Sequence, residues 1–240
     1  MLVLHQFLTP PHDCTYLPEQ VAKLAYACTA RLEPQAYEDL MNRGYRKFGM
    51  TIFTPVCEQC QACRPIRVPV DRFRPDRSQR RAWKRNQHLS VRFGSPKADD
   101  AHLELYNRYH QSQTRRKGWP PHQSDADEYA LSFGQSTVPS IEISVWEGGT
   151  LRGVVLTDVT PNVVSAVYHY HEPCLAAYSL GTFCVLQTFE LARRLKRAWV
   201  YLGYYVAGCP SMVYKARFRP CQIMDAAGVW REEGEPIDAR

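Results

Sequence analysis

Between Ile141 and Tyr204 the apolar residues run in an order that sets out a succession of strands and one helix. Ile141, Ile143 and Val145 alternate with polar neighbours, which predicts a strand with one buried face. Glu147-Gly148-Gly149-Thr150 turns the chain, and Leu151 to Val159 and Val163 to His171 read as two more strands. Ser179 is placed to cap a helix reaching about Arg197. The basic end of that helix (Arg193, Arg194, Lys196, Arg197) suits the negative pole of a helix dipole. Trp199 to Tyr204 is again a strand. Strand–strand–strand–helix–strand is an α+β order, as found in acyltransferase-like domains. Periodicity alone leaves the fold itself open.

Upstream, Val21 to Leu32 and Gln35 to Asn42 are predicted helical, separated by Pro34, with Gly44 ending the second. Met50 to Phe53 and Ile66 to Val70 are predicted strands on either side of a cysteine cluster. Gly94 to Asp100 reads as a linker, with Asp99 or Asp100 capping a helix over Ala101 to Gln113. The expected division is an N-terminal region, 1–93, for metal and nucleic-acid binding, and a second region, 94–240, for catalysis. A chain of 240 residues, 45% hydrophobic, can bury a sizeable core in such an arrangement.

Cys57-x-x-Cys60-x-x-Cys63 puts three thiols on one short loop, where they can face a single ion. Cys14, in a turn-rich stretch with Pro10, Pro11 and Asp13, is the candidate fourth ligand. Zinc suits four thiolates, and the spacing also matches the first ligands of an iron–sulfur site. The alternative is three free thiols on a loop. Cys28, Cys174, Cys184, Cys209 and Cys221 stand alone and are expected to be small buried hydrophobes.

From Arg72 to Arg92 there are eight Lys or Arg against Asp76 alone, although the whole chain carries only +6. A local basic block favours an anionic partner, most often nucleic acid. Arg77, Arg80, Arg81, Lys84 and Arg85 supply phosphate contacts, Gln79 an amide, and Trp83 a ring to stack on a base. Ser179 and Gly181 open a helix whose free N–H groups suit a phosphate. Tyr214 to Pro220 alternates, and as a strand it would project Lys215, Arg217 and Arg219 from one face toward a phosphate or carboxylate. Protective charges on an edge strand are the other reading. No apolar run is long enough for a membrane span or a signal peptide, so a cytoplasmic protein without a membrane partner is expected.

These segments resemble the arginyl/leucyl-tRNA–protein transferase family. The resemblance is carried by Gly44-Tyr45-Arg46-Lys47-Phe48-Gly49, by Phe53-Thr54-Pro55 with the cysteines, and by Arg64-Pro65-Ile66-Arg67-Val68-Pro69-Val70. Later matches are Phe73-x-Pro75-x-Arg77 to Arg81, Ser165 to Tyr168, Ser179 to Thr182, Tyr201 to Tyr204, Gly208-Cys209-Pro210-x-Met212 and Tyr214 to Pro220. The length and Cys14-Thr15-Tyr16-Leu17-Pro18 resemble the bacterial leucyl-transferring branch. Where the family has an aromatic residue and Asp-Pro, this chain has His171-Glu172-Pro173.

The resemblance implies a metal-type N-terminal region joined to an acetyltransferase-like (GNAT-like) catalytic domain, without an organic cofactor. It implies leucyl-tRNA as donor, with arginyl-tRNA as the alternative within the family. The acceptors would be proteins with N-terminal Asp or Glu, marked in this way for degradation. It also places Arg46 beside Lys215, Arg217 and Arg219 as a candidate for reading the acceptor's carboxylate. For the proton of the attacking amine the candidates are Asp158, Tyr168 and Glu172, with His169 expected to be structural. A non-catalytic metal-ribbon nucleic-acid binder would explain Cys57 to Asn86 but not the second half. An acetyltransferase using coenzyme A would explain the helix start but not the basic block.

Overall fold

A computed structural model describes residues 2–233; Met1 and residues 234–240, the outer ends of the two expected regions, lie outside it. The strands in chain order are β1 (Leu2–Leu8), β2 (His12–Asp13), β3 (Val21–Ala22), β4 (Leu24–Arg31), β5 (Arg46–Phe48), β6 (Thr51–Pro55) and β7 (Arg64–Pro69). They continue as β8 (Ser90–Gly94), β9 (Ser140–Glu147), β10 (Thr150–Val159), β11 (Val163–His171), β12 (Trp199–Tyr205), β13 (Gln222–Met224) and β14 (Trp230–Glu232). The α-helices are α1 (Pro34–Met41), α2 (Arg77–Arg85), α3 (Asp100–Lys117), α4 (Ala126–Tyr129), α5 (Leu180–Arg194) and α6 (Pro210–Val213).

Eight strands form one sheet in the order β14-β13-β7-β12-β11-β10-β9-β8, and β1-β4-β6-β5 form a smaller one. The alternation read from 141 to 171 gives an antiparallel meander, and α5 then crosses over so that β12 lies parallel to β11. That crossover needs a helix because parallel neighbours cannot be joined by a tight turn. Helix α5 is buried along most of its length against Val145, Val155, Val164 and Val200. On the opposite face α3 and α4 pack Leu105, Tyr106 and Tyr129 against Val154, Leu156 and Tyr170. Helix α3 is capped by Asp99, whose side chain accepts from the His102 N–H, and ends at Gly118 in the left-handed conformation.

Residues before and after position 93 share the large sheet. Strand β7 sits inside it, between β12 and β13. Helix α1 is tied to the β10–β11 turn by buried Glu38, which accepts from Thr160 Oγ1 (2.6 Å), Asn162 N–H (3.0 Å) and Asn162 Nδ2 (2.9 Å).

Two expected elements differ. Val21 to Leu32 is not helical: it forms β3 and β4, and β4 lies between β1 and β6. Its apolar spacing allows a helix, but cross-strand partners on both sides outweigh local preference. Tyr214 to Pro220 is not a strand, since Pro210 starts a helical turn that continues as a 3₁₀ turn over Tyr214–Arg217. Ser179 stands at the start of α5 in the left-handed conformation and makes no side-chain cap. Of the isolated cysteines, Cys184, Cys209 and Cys221 are buried, whereas Cys28 is half-buried and Cys174 exposed.

Gly153 in β10 faces α5 so closely that a Cβ there would lie 2.8 Å from Cys184 Sγ. Gly153→Ala is expected to cost about 1–3 kcal/mol by overpacking. Cys184→Ala should restore part of that loss, and urea unfolding of the two single variants and the double variant measures the coupling.

Candidate active site

Strands β11 and β12 pair only at Val163–Trp199, Val164–Val200 and Ser165–Tyr201. Beyond that point β11 continues against β10 alone, and the register between β12 and β7 shifts between Tyr201 and Tyr204. A cavity of about 330 Å³ opens where the strands part, lined by Ala166, Val167 and Tyr168 of β11 and by Leu202, Gly203 and Tyr204 of β12. The small sheet closes its far side with Tyr26, Arg46, Lys47 and Phe53, and Tyr16, Met212 and Lys215 complete it.

Backbone carbonyls that lose sheet partners need other donors. Here they take cationic side chains. Arg46 Nη2 donates to Gly203 O at 2.5 Å, and Lys215 Nζ donates to Tyr204 O at 2.8 Å. Gly203 has φ +82°, and a Cβ on it would meet Lys215 Nζ at 3.5 Å. Arg46 is 6% exposed, and its Nε and Nη1 have no hydrogen-bond partner among the described residues. Its guanidinium lies 5.4 Å from the Tyr204 ring centre and 5.5 Å from that of Tyr201. Burial, reinforced by the Arg46 charge, lowers the Lys215 amine to about 7. The cavity therefore presents dehydrated cationic donors with spare capacity, which suits a carboxylate.

Lys47, which sequence reasoning did not single out, forms a buried ion pair with Asp158 at 3.3 Å, each side chain 2% exposed. Ser140 Oγ also donates to Asp158, at 2.7 Å. Burial raises the Asp158 carboxyl, opposed by Lys47. Lys47 lines the cavity, but Asp158 does not. Tyr168 does line it, with its hydroxyl 2.8 Å from His110 Nε2, and burial holds its phenol well above the usual range. Glu172 lies outside the cavity, paired with Arg108 at 3.2 Å. His169 is lowered to about 4 by burial and so stays neutral.

Of the cations expected on one strand face, only Lys215 points into the cavity, because the segment is a helical turn. Arg217 is exposed and donates to Asp76 (3.2 Å) and Ser78 (2.7 Å); Arg219 is exposed and pairs with Glu233 at 3.2 Å.

On α2, Arg77, Arg80, Arg81, Lys84 and Arg85 are exposed, as a phosphate-binding face requires. Gln79 is not available for binding. It closes a capping box with Asp76, and its Nε2 donates to Arg217 O at 3.1 Å. Trp83 is half-buried against Phe183, 5.4 Å between ring centres, and so packs α2 on α5. Ser179 is exposed at the start of α5, while Gly181 lies under His171, whose Cε1 would be 2.7 Å from a Cβ.

Cys14, Cys57, Cys60 and Cys63 line one neighbouring cavity, all four free and half-buried. Burial, with the surrounding Cys14, Cys57 and Cys60 thiols, raises Cys63 to about 12. Such a set suits a cation, which would favour the thiolates. Even so, among the described residues no three His, Cys, Asp or Glu side chains are drawn together as metal ligands. The expected ligands share a cavity without forming a closed centre.

The family models for the N terminus and C terminus of arginine-tRNA-protein transferase match residues 12–81 and 101–225. The aspartate/glutamate leucyltransferase of Chromobacterium violaceum is 37% identical, over 95% of this chain and 93% of its own. That of Stenotrophomonas maltophilia is 37% identical, over 99% and 96%. Among solved structures, FemX, of GNAT-like fold, has a TM-score of 0.51 over 90% of this chain and 84% of its own. At 8% identity this is a likeness of fold alone. No helix among the described residues is long and apolar enough to cross a membrane.

Lys215 should leave a signature in stability against pH. Its amine is lowered to about 7 in the folded protein and is in the usual range near ~10.4 when unfolded. Below pH 7 both states hold the proton, and the folded state bears the full burial cost. Above it the folded state releases the proton first, so the cost fades as pH rises. Relative to Lys215→Met, the wild type should gain about 2 kcal/mol between pH 6.5 and pH 9. Urea unfolding of both proteins at the two pH values tests this; a constant difference would contradict the assignment.

Proposed function

The chain belongs to the arginine-tRNA-protein transferase family, and from that premise we propose that it transfers leucine from leucyl-tRNA to the N-terminal Asp or Glu of acceptor proteins, marking them for degradation. Leucine is favoured over arginine as the donated residue because the relatives at 37% identity are named leucyltransferases. In this reading the region with the cysteines precedes an acetyltransferase-like catalytic domain, and the exposed cations of α2 hold the tRNA backbone.

The observation that carries the reading is the buried, half-satisfied guanidinium of Arg46 beside Lys215. An acceptor carboxylate completes the hydrogen bonding of Arg46, while Asn or Gln leaves the dehydrated cation without a counter-charge. The donor is an activated ester. The acceptor's α-nitrogen attacks the carbonyl carbon, the bond to the ribose oxygen breaks, and the tRNA leaves as the alcohol. Two protons leave the nitrogen in all: one ends on the departing ribose oxygen, and one must be given up before attack, because an α-amino group near ~7.7–8.0 is mostly protonated at neutral pH. Lys215 near 7 is poised to take that proton and, once charged, to pair with the acceptor carboxylate. Holding amine and ester together supplies much of the remaining acceleration. Tyr168 faces the cavity with its phenol held protonated by burial, so it can donate a hydrogen bond but not take the proton; Asp158 lies behind Lys47, and Glu172 is paired with Arg108 outside the cavity.

Arg46→Gln should lower kcat/KM for an Asp-started peptide by about 1.5–3 kcal/mol and shrink the preference for Asp over Asn by the same factor. The Kd for leucyl-tRNA should stay near wild type. Parallel assays with leucyl-tRNA, arginyl-tRNA and acetyl-coenzyme A identify the donor, and an unchanged Asp/Asn ratio would remove Arg46 from acceptor recognition.

We further propose that the four thiols hold an iron–sulfur cluster or a zinc ion. Anaerobically purified protein should carry iron with sulfide, or one zinc, and Cys60→Ser should lower that content. Fully active protein with neither would disprove metal binding.

A further inference from the structure

Phe7, Tyr26, Phe53 and Arg46 are successive cross-strand neighbours in the small sheet. Phe7 lies opposite Tyr26, Tyr26 opposite Phe53, and Phe53 opposite Arg46. Directly opposed residues point to the same face, so the four side chains make one row from the open edge of β1 to the cationic end of the cavity. Ring centres are 5.2 Å apart between Phe7 and Tyr26 and 5.5 Å between Tyr26 and Phe53. The row continues at 6.5 Å to Tyr204, whose ring lies beside the Arg46 guanidinium, and at its outer end His5 stacks on Phe7 at 5.7 Å. Exposure rises along it, from Arg46 at 6% through half-buried Phe53 and Tyr26 to Phe7 at 42%. The cavity itself already reaches Tyr26.

We propose that this aromatic row binds the first residues of the acceptor polypeptide in extended form, immediately behind the acidic N-terminal residue. The proposal rests on the reading of Arg46 given above. Continuity with the cavity sets the direction, because an acceptor whose carboxylate sits at Arg46 has its following residues at Phe53, Tyr26 and Phe7. Charge sets the occupant. Single-stranded nucleic acid needs a basic groove beside its stacking rings. Here the cations lining the cavity are Arg46, Lys47 and Lys215, all at its inner end, and the exposed arginines of α2 belong to a helix packed on α5. Strands lie ~4.7–4.9 Å apart, so β5 to β1 spans roughly 14 Å. At ~3.3–3.6 Å per residue that is about four residues of extended peptide.

Equilibrium binding without donor tests this. The probe is an octapeptide beginning with Asp and labelled at its C-terminus, competed by the unlabelled Asp-Ala dipeptide. In the wild type the octapeptide should bind more tightly than the dipeptide. Phe7→Ser and Tyr26→Ser should raise the octapeptide Kd roughly three- to tenfold, and Phe7→Tyr should restore it, which separates loss of the row from loss of the fold. Equal affinity for octapeptide and dipeptide in the wild type, or an unchanged octapeptide Kd in Phe7→Ser, overturns the proposal. So does a Phe7→Ser variant that weakens binding of a single-stranded oligoribonucleotide and not of the octapeptide. An octapeptide beginning with Asn is the control for Arg46. If the wild type binds it as well as the Asp form while Phe7→Ser still weakens both, the Arg46 reading fails and the row stands as a peptide site.

Discussion

Two parallel strands that pair for three positions and then separate leave backbone carbonyls that must find donors, and much of the site follows from how this chain supplies them. Arg46 and Lys215 reach Gly203 O and Tyr204 O. Each gives up hydration to do so, and among the described residues no carboxylate lines the cavity to neutralise them. The buried carboxylate of Asp158 is already committed to Lys47. The same two side chains therefore close the parted strands and charge the space between them.

The small sheet is positioned by this need as much as by its own packing. Strand β5 presents Arg46 to the cavity and Lys47 to Asp158, and Tyr204 Oη donates to Gly44 O at 2.7 Å just ahead of it. Helix α1, anchored through Glu38, leads into β5, with the Tyr45 N–H donating to Leu40 O at 3.0 Å. The basic helix is clamped to the same neighbourhood, since Arg217 bonds Asp76 and Ser78 at the start of α2 while Lys215, two residues earlier, faces the cavity.

The meander and crossover were legible because their residues alternate cleanly: β11 spans the expected Val163 to His171, and α5 follows where the apolar run lengthens. Val21 to Leu32 misled because its spacing satisfies either period, and only its partners β1 and β6, distant in sequence, decide for a strand. At Tyr214 to Pro220 alternation suggested a cationic face, but Pro210 had already set a helical turn that points Lys215 inward and Arg217 outward. Arg46 and Lys215 were both singled out, yet nothing in the order of residues says that they share a cavity. Gln79 looked like a surface amide until its place at the third position of a capping box explained it. Lys47 carried no signal beyond its motif, because its partner Asp158 lies in another sheet.

The place of β7 in the large sheet bears on how the protein is made. Its neighbours, β12 and β13, are both encoded far downstream, near the end of the described chain. During synthesis β7 therefore emerges with both edges unpaired, and its buried residues Ile66 and Val68 have no sheet to enter until β12 and β13 leave the ribosome. Non-local pairing of this kind folds slowly and exposes sticky edges meanwhile. A nascent or truncated chain cannot assemble a working half, because the cation from the first sheet and the carbonyls it serves come together only once Trp199–Tyr205 is in place.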